Sequence, residues 1–181
     1  MHKDSDTALL EDCKNGDRKA LDSLVRRYER PVYNAAFRML GNPDEAADVT
    51  QTVFLKAFEN LDRFDPKYRF FSWIYRIAVN ESINQFNRNK RAEPLADNEA
   101  SSEPGPERAV ESGLINEELQ AALMALHEDH RAVIVLRHFT GYSYRQIGEI
   151  LDIPEKTVKS RLFSARQKMR DRLERRGVFS A

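Results

Sequence analysis

A helix-turn-helix pattern in the C-terminal third constrains this chain more than any other feature. Ser143 followed by Gln146 forms a capping-box pattern, which marks the start of a helix. Gly148 supplies a small residue where two helices can approach closely, and Asp152 fits the left-handed turn position that Asp tolerates. Pro154 then opens a second helix, because a proline at the first helical position loses no hydrogen bond. We therefore predict a helix-turn-helix domain here.

The second helix of this pattern has two different faces. Its apolar face is predicted from helical spacing and consists of Val158, Leu162, Ala165, Met169 and Leu173. The opposite face consists of Lys156, Lys159, Ser160, Phe163, Ser164 and Gln167, flanked by Arg161 and Arg166. These groups suit a DNA major groove, where Lys donates to guanine and Phe packs on a thymine methyl. A solvated surface face is the alternative, but it does not explain an outward Phe163.

Charge is distributed unevenly, although the formal net charge of the 181 residues is zero. Residues 1–91 carry a net +2, residues 92–118 a net −7 and residues 119–181 a net +5. The basic segment fits a nucleic-acid partner. Cys13 is the single cysteine, which excludes an internal disulfide and fits a reducing cytosol. No apolar run approaches the ~20 residues of a membrane span, so we expect a soluble cytoplasmic protein with no direct membrane insertion.

The pattern along the chain predicts an all-α fold of two small helical domains. Helices are expected around Leu9 and Leu10 and over residues 18–40, 42–61, 68–91, 116–126 and 129–139, ahead of the helix-turn-helix. Residues 92–113 are rich in Pro, Ser and Glu, and this composition indicates a flexible acidic linker. The predicted domains are residues 1–91, a helical bundle, and residues 114–181, a four-helix domain that contains the helix-turn-helix.

Aromatic and amide side chains crowd the end of the first domain. Six aromatics fall within twelve positions: Phe64, Tyr68, Phe70, Phe71, Trp73 and Tyr75. On an unbroken helix, one narrow sector beside Trp73 would carry Arg76, Asn80, Asn84, Asn87 and Arg91. Rings for stacking, amides for base edges and guanidinium groups for phosphates together suit a single-stranded nucleic-acid site. An ordinary polar face beside a core of aromatics is the alternative.

Three segments resemble hallmarks of one family. The segments are Asp48–Phe58 (DVTQTVFLKAF), Phe71–Asn80 (FSWIYRIAVN) and Thr157–Leu162 (TVKSRL), the last together with Ala165 and Arg166. Their sequences, order and separation are similar to those of the extracytoplasmic-function (group IV) sigma factors of the sigma-70 family, over roughly residues 8–91 and 114–176. The resemblance implies a transcription initiation factor that binds core RNA polymerase and promoter DNA, for a stress or envelope-signal regulon. It also implies an anti-sigma factor as a partner.

The resemblance also assigns residues to each contact. Core polymerase would be bound at its β′ clamp helices by Asp48, Gln51 and Phe54, and at its β flap. The −10 element would be melted and one base flipped out by a set that comprises Lys56, Phe64, Trp73, Tyr75, Arg76, Asn80, Asn84 and Arg88. The −35 duplex would be read by Lys156, Thr157, Lys159, Ser160, Arg161, Phe163, Ser164 and Arg166. A short loop near Asn80 is expected to interrupt the helix there.

Two positions depart from the family pattern. Many relatives carry Arg where this chain has Ser164, and the loss of a bidentate guanine or phosphate contact means that the −35 preference cannot simply be transferred. Many carry Glu where this chain has Thr52, which affects a detail of the polymerase contact.

The linker is short for the promoter it would bridge. The acidic segment 92–118 has 27 residues, and as a flexible coil it averages about 30 Å end to end. Promoter elements about 17 base pairs apart, as the resemblance implies, are separated by about 58 Å. We therefore infer that polymerase holds the domains apart and that the free protein is more compact. The acidic linker or the first domain is then expected to screen the DNA-reading domain, and neutralising the linker acids should raise the DNA affinity of the free protein.

Other function classes have weaker support. His127, His130 and His138 suggest a metal site by spacing, but no cysteine or carboxylate cluster completes a ligand set, so we expect no metal and no cofactor. The sequence has no phosphate-binding loop and no catalytic-triad pattern, so we do not expect the protein to be an enzyme. A conventional dimeric helix-turn-helix regulator that binds a palindrome without polymerase remains the alternative. A decoy that binds polymerase or an anti-sigma factor is a third possibility.

Overall fold

The computed structural model describes residues 3–92 and 110–177, and these residues form eight α-helices and no strand. The helices are α1 (Lys3–Lys14), α2 (Arg18–Leu40), α3 (Pro43–Glu59), α4 (Phe70–Ala92), α5 (Val110–Met124), α6 (Glu128–Ile134), α7 (Tyr144–Leu151) and α8 (Glu155–Arg175). A 3₁₀ turn, Leu61–Arg63, follows α3, and a π-helical turn, Val135–Phe139, continues α6. The predicted all-α fold is confirmed. None of these helices is long and apolar enough to cross a bilayer.

The helix ends in the N-terminal half follow local capping chemistry. Asp17 caps α2 by accepting from the Lys19 N–H at 2.8 Å, and Gly41, at φ 75°, ends that helix in the left-handed conformation. Asn42 caps α3 by accepting from two N–H groups of the first turn, at 2.9 and 3.1 Å. Pro43 occupies the first helical position of α3. These signals were readable in the sequence, which is why the predicted bounds of α2 match the observed ones.

Helix α4 is continuous from Phe70 to Ala92, so the expected break near Asn80 is wrong for this chain. The physical reason is an uninterrupted buried stripe across that point, formed by Ile74, Ala78, Val79 and Ser82. The Ser82 hydroxyl donates to the Ala78 carbonyl one turn earlier at 2.8 Å, so this buried polar group finds its hydrogen-bond partner inside the helix. The helix also starts two residues after the predicted Tyr68.

Helices α1–α4 form an N-terminal module and α5–α8 a C-terminal module. Helix α5 begins at Val110, within residues predicted as linker, and the rest of that predicted linker lies mainly outside the described residues. The early start was missed because Ser112 has modest and Gly113 poor helix propensity. The linker and its proposed screening role therefore stay predictions.

Arg131 of α6 joins the two modules from a fully buried position. Its guanidinium donates to the carbonyls of Leu123 at 3.0 Å and Leu126 at 2.9 Å, and also to that of Met39 in α2. The same group lies over the ring of Phe86 in α4, 4.5 Å from its centroid. Burial lowers the pKa of Arg131 to about 10, so the side chain stays charged at neutral pH. One buried cation thus ties the C-terminal module to two helices of the N-terminal one.

Candidate nucleic-acid interface

The helix-turn-helix predicted from the sequence is present in α7 and α8. Both hydrogen bonds of the capping box form: Gln146 N–H donates to the Ser143 hydroxyl at 3.2 Å, and Ser143 N–H donates to the Gln146 side chain at 2.9 Å. Asp152 adopts the left-handed conformation with φ 56°. A Cβ on Gly148 would lie 2.8 Å from the Ile153 carbonyl oxygen, so only glycine fits this close approach. The predicted roles of these residues are confirmed.

Helix α8 buries the predicted apolar face and exposes the predicted polar one. The buried residues are Val158, Leu162, Ala165, Met169 and Leu173. The exposed residues are Lys156, Lys159, Ser160, Phe163, Ser164 and Gln167. Phe163 is 67% exposed, an unusual position for a phenylalanine. Pro154 caps the helix and Glu155 is its first residue, one position later than predicted. The exposed face thus carries amine, hydroxyl, amide and aromatic groups, which are the kinds of group that contact base edges in a major groove.

The residues that flank this face are partly buried or bound to other side chains of the module. Thr157 and Arg161 are half-buried, and Arg161 forms an ion pair with Asp129 at 2.9 Å. Arg166 is exposed and donates through Nε to the Nε2 of His138 at 3.3 Å. Burial, with repulsion from Arg166 and Arg137, lowers the pKa of His138. The charge of Arg161 is therefore partly offset by Asp129, which weakens its attraction for a phosphate.

A cavity of about 320 Å³ lies on the N-terminal module between α3, the 3₁₀ turn and α4. Its lining residues are Lys56, Asn60, Arg63, Trp73, Ile77, Asn80 and Glu81. Three of them, Lys56, Trp73 and Asn80, belong to the predicted −10 set. The other four were missed in the sequence. Ile77 and Glu81 follow Trp73 at intervals of four along α4, so extending the helical row from Trp73 as well as from Arg76 would have found them.

The remaining residues of the −10 set are divided between three environments. Phe64 is buried and packs under Trp73, with ring centroids 5.3 Å apart. Tyr75 is only 4% exposed, and burial raises its pKa to about 12. Arg76 is half-buried and is bound to the C-terminal module. The two residues that continue along α4 as an exposed polar row are Asn84 and Arg88.

The predicted polymerase-binding segment exposes a different apolar residue from the expected one. Asp48 and Gln51 are exposed on α3, whereas Phe54 is buried and stacks on Phe58 with ring centroids 6.0 Å apart. Leu55 is 63% exposed and lies four residues after Gln51 on the same helix. The helical spacing of Asp48, Gln51 and Leu55 was the signal that could have identified Leu55.

An apolar groove of about 650 Å³ lies on the C-terminal module, and Arg166, which flanks the exposed face of α8, is part of its lining. It is lined by Leu119, Ile134, His138, Phe139, Arg166, Met169, Arg170, Leu173 and Glu174. Apolar walls with arginines at the edge suit a protein segment better than a nucleic acid.

Among the histidines, His127 caps α6 by accepting from the Asp129 N–H at 3.3 Å. No group of three metal-binding side chains occurs in the described part of the chain.

Two family models match the chain: sigma-70 region 2 over residues 24–92 and sigma-70 region 4 over residues 116–169. The ECF RNA polymerase sigma factor SigW of Bacillus subtilis (strain 168) is 35% identical, over 91% of this chain and 94% of SigW. The ECF RNA polymerase sigma-E factor of Escherichia coli (strain K12) is 34% identical, over 94% of this chain and 95% of that protein. The solved structure of CnrH in complex with the cytosolic domain of CnrY matches with a TM-score of 0.74 at 25% identity, over 94% of this chain and 98% of that one.

Identity at this level over nearly the whole length agrees with the three motifs and with the helix-turn-helix. The chain therefore belongs to the extracytoplasmic-function (ECF) sigma factors of the sigma-70 family, which act in transcription initiation.

Proposed function

We propose that this chain binds core RNA polymerase and gives it promoter specificity, reading −35 DNA as a duplex and −10 DNA as an unpaired strand. The observation that carries the proposal is the exposed face of α8, on which Phe163 projects among Lys156, Lys159 and Ser160 from a complete helix-turn-helix. On family resemblance, we assign the promoters to a stress or envelope-signal regulon.

The −35 element would be contacted by the exposed face of α8 in the major groove. Lys156 and Lys159 can donate to guanine or phosphate, and Phe163 can pack against a thymine methyl. Lys159 pairs with Glu155 at 3.0 Å, and because both side chains are well exposed this pair is weak enough to exchange for a phosphate. Ser164 is exposed on this face, and its short hydroxyl leaves free the space that an arginine side chain would fill.

The −10 element would be read in the cavity between α3 and α4. Extruding one base costs a few kcal/mol, which stacking and hydrogen bonds to its edge must offset. Trp73 offers a ring, Asn80 an amide, and Lys56 an ammonium group, and all three line the cavity. Asn84 and Arg88 continue as an exposed row along α4 and would guide the adjoining strand. Phe64 supports Trp73 from beneath and would act without touching DNA.

Polymerase would be bound through two separate surfaces. Asp48, Gln51 and Leu55 present a polar and apolar row on α3 for the β′ clamp helices, with Phe54 buried beneath as support. The apolar groove beside α8 would take a helix of the β flap. An anti-sigma factor would compete for one of these surfaces; this extends to the present chain the kind of complex seen between CnrH and the cytosolic domain of CnrY.

The test is transcription in vitro with purified core polymerase on a promoter library, with the start sites sequenced. We expect starts that depend on this chain and share −35 and −10 sequences. Phe163→Ala should change the −35 consensus, and Asn80→Ala the −10 consensus. Arg145→Ala, an exposed residue of α7 outside both surfaces, should change neither. Tight binding to a symmetric duplex without chain-dependent starts would instead establish the conventional dimeric regulator.

A further inference from the structure

Two cations line the cavity that we assign to the −10 base, and their charges are balanced differently. Three of the lining residues are exposed, namely Lys56, Arg63 and Asn80, and the other lining residues are half-buried. A base that enters the cavity leaves its phosphates outside, because a phosphate is charged and is costly to remove from water. The two exposed cations therefore lie in the part of the lining that the phosphates of the strand can reach.

The charge of Lys56 is already matched by an acid. Its ammonium donates to Glu81 Oε1 at 2.6 Å. The Glu81 side chain is only 12% exposed, and no other side-chain hydrogen bond to it occurs in the described part of the chain. If Lys56 moved to a phosphate, it would leave a poorly hydrated carboxylate without a donor. This pair therefore adds little net charge to the cavity, unlike the exposed pair of Lys159 and Glu155, which can exchange.

Arg63, in contrast, has no partner for its charge. It takes part in no ion pair and no side-chain hydrogen bond within residues 3–92 and 110–177. Its own N–H donates to the Asn60 carbonyl at 2.9 Å, and the next N–H, that of Phe64, donates to the Leu61 carbonyl at 3.1 Å. Leu61 and Phe64 are both buried, so the turn that carries Arg63 is anchored on either side. The result is an exposed guanidinium on a fixed turn, and a guanidinium can bind a phosphate through two parallel hydrogen bonds.

We propose that Arg63 binds a phosphate of the −10 strand at the edge of the cavity, whereas the Lys56–Glu81 pair makes no phosphate contact. The assignment rests on the proposed function of the cavity. A phosphate contact carries no sequence information, so Arg63 raises the affinity for every −10 sequence equally and leaves base recognition to the other lining residues. Neutralising a phosphate also releases bound counterions, so this contact makes DNA binding depend on salt.

The experiment measures binding of a single-stranded −10 oligonucleotide to the complex of the full chain with core polymerase, by fluorescence anisotropy between about 50 and 200 mM KCl. One phosphate contact to a single strand contributes about 0.7 to the slope of the logarithm of affinity against the logarithm of salt concentration. We expect Arg63→Gln to reduce the slope by this amount, so that its loss of affinity relative to wild type shrinks about 2.6-fold over this range. Arg63→Lys keeps the charge and should keep the slope. The ratio of affinities for a matched and a scrambled oligonucleotide should be the same in all three proteins.

Two further variants separate this contact from a general effect of charge. Arg26→Gln removes an exposed arginine of α2 that does not line the cavity, and it should leave the slope unchanged. The double variant Lys56→Gln/Glu81→Gln removes both members of the ion pair. Because the pair has no net charge, the slope should stay unchanged in this variant too.

The outcomes separate this assignment from the proposed function. A slope that Arg63→Gln leaves unchanged would overturn the phosphate contact, and so would a loss of affinity confined to the matched oligonucleotide, since Arg63 would then read a base. A reduced slope in the double variant would overturn the assignment of the contact to Arg63 alone. In each of these cases the wild-type complex still binds the −10 strand more tightly than core polymerase does. Equal binding by the wild-type complex and by core polymerase would instead overturn the proposed function, and the assignment of Arg63 with it.

Discussion

The Nε–H of Arg76 in α4 donates to the carbonyl oxygen of Ile150 in α7 at 3.0 Å, and a second guanidinium N–H donates to the Glu149 carbonyl. These carbonyls belong to the last turn of α7, where a cation is favoured by the helix dipole. Next to this contact, Tyr142 stacks on Phe71 with ring centroids 4.9 Å apart and meets the edge of Tyr75 at 5.3 Å. Arg76 and Tyr75, both assigned to the −10 strand, are thus occupied by the C-terminal module.

This contact predicts that the free chain binds −10 DNA weakly until the modules separate. The contact does not cover the exposed face of α8 and involves −10 residues instead, while screening of the −35 face by the acidic linker stays a prediction. Tyr142→Ala should loosen the contact and raise the affinity of the free chain for a single-stranded −10 oligonucleotide about fivefold, because stacked aromatic pairs contribute about 1 kcal/mol. Fluorescence anisotropy would measure the affinity, and small-angle scattering the expected increase in radius of gyration.

Tyr144→Ala provides a matched control for this experiment. Tyr144 is a neighbouring half-buried tyrosine whose ring lies under Arg137 of the same module, at 5.2 Å. We expect neither the affinity nor the radius of gyration to change in that variant. Equal −10 affinity in the wild type and in Tyr142→Ala, measured at low salt, would show that the contact does not restrain DNA binding.

Arg131 is expected to be the most sensitive single residue for stability. Replacing it by methionine would leave buried carbonyls of Leu123, Leu126 and Met39 without donors, and each unsatisfied group costs about 1–3 kcal/mol. We expect Arg131→Met to lower the free energy of unfolding by about 3 kcal/mol or more, measured by urea denaturation. Arg145→Met, at an exposed arginine paired with Glu149, should change it by less than about 0.5 kcal/mol. A similar small effect for both variants would refute the role of Arg131.

Leu55 is expected to contribute directly to polymerase binding. Burying a leucine side chain stabilises a complex by about 1.5–3 kcal/mol, so Leu55→Ser should weaken binding to core polymerase at least tenfold. The free energy of unfolding should not change, because the side chain is already 63% exposed. Tyr68→Ser, at another exposed apolar residue of the same module, is the control and should retain full binding. Competition with a labelled sigma factor for core polymerase would measure the affinity; unchanged binding of Leu55→Ser would exclude Leu55 from this surface.

The C-terminal module was predictable from sequence because its signals are local. The capping box at Ser143, the turn at Asp152 and the close approach at Gly148 each depend on residues at most five positions apart, and all were found where predicted. Contacts between distant segments were not predictable in this way. No spacing in the sequence indicates that Arg131 reaches Met39, since this depends on how two modules pack.

In the N-terminal site too, features set by helical spacing were predictable from the sequence, whereas features set by packing between helices were not. Helical spacing placed Asn80 and Asn84 correctly on the exposed side of α4, whereas Ile77 and Glu81 lie in a neighbouring row that follows Trp73 and was not considered. The burial of Phe54 and Tyr75 was missed because aromatic residues in a motif can serve the core or the ligand, and only packing separates the two roles. The expected break near Asn80 came from resemblance, and the buried stripe from Ile74 to Ser82 overrides it in this chain.

Stability of the C-terminal module is expected to decrease in mild acid because of two histidines. Burial lowers the pKa of His130, and repulsion from Lys168, His127 and Arg161 adds to this effect against a smaller attraction by Asp129. The pKa of His138 is lowered by burial and by Arg166 and Arg137. The unfolded chain therefore binds protons that the folded chain does not, once the pH falls below about 6.5.

The free energy of unfolding should then be constant above about pH 7.5 and decrease as the pH falls from 6.5 to 5, since each histidine contributes at most one proton to the slope. Urea denaturation at closely spaced pH values would measure it. His138→Gln keeps an acceptor near Arg166 and removes one titrating group, so it should reduce the slope, whereas His127→Gln changes an exposed ring at the N-cap of α6 and should reduce it less. A slope that is the same in all three proteins would mean that His138 does not contribute to the acid sensitivity.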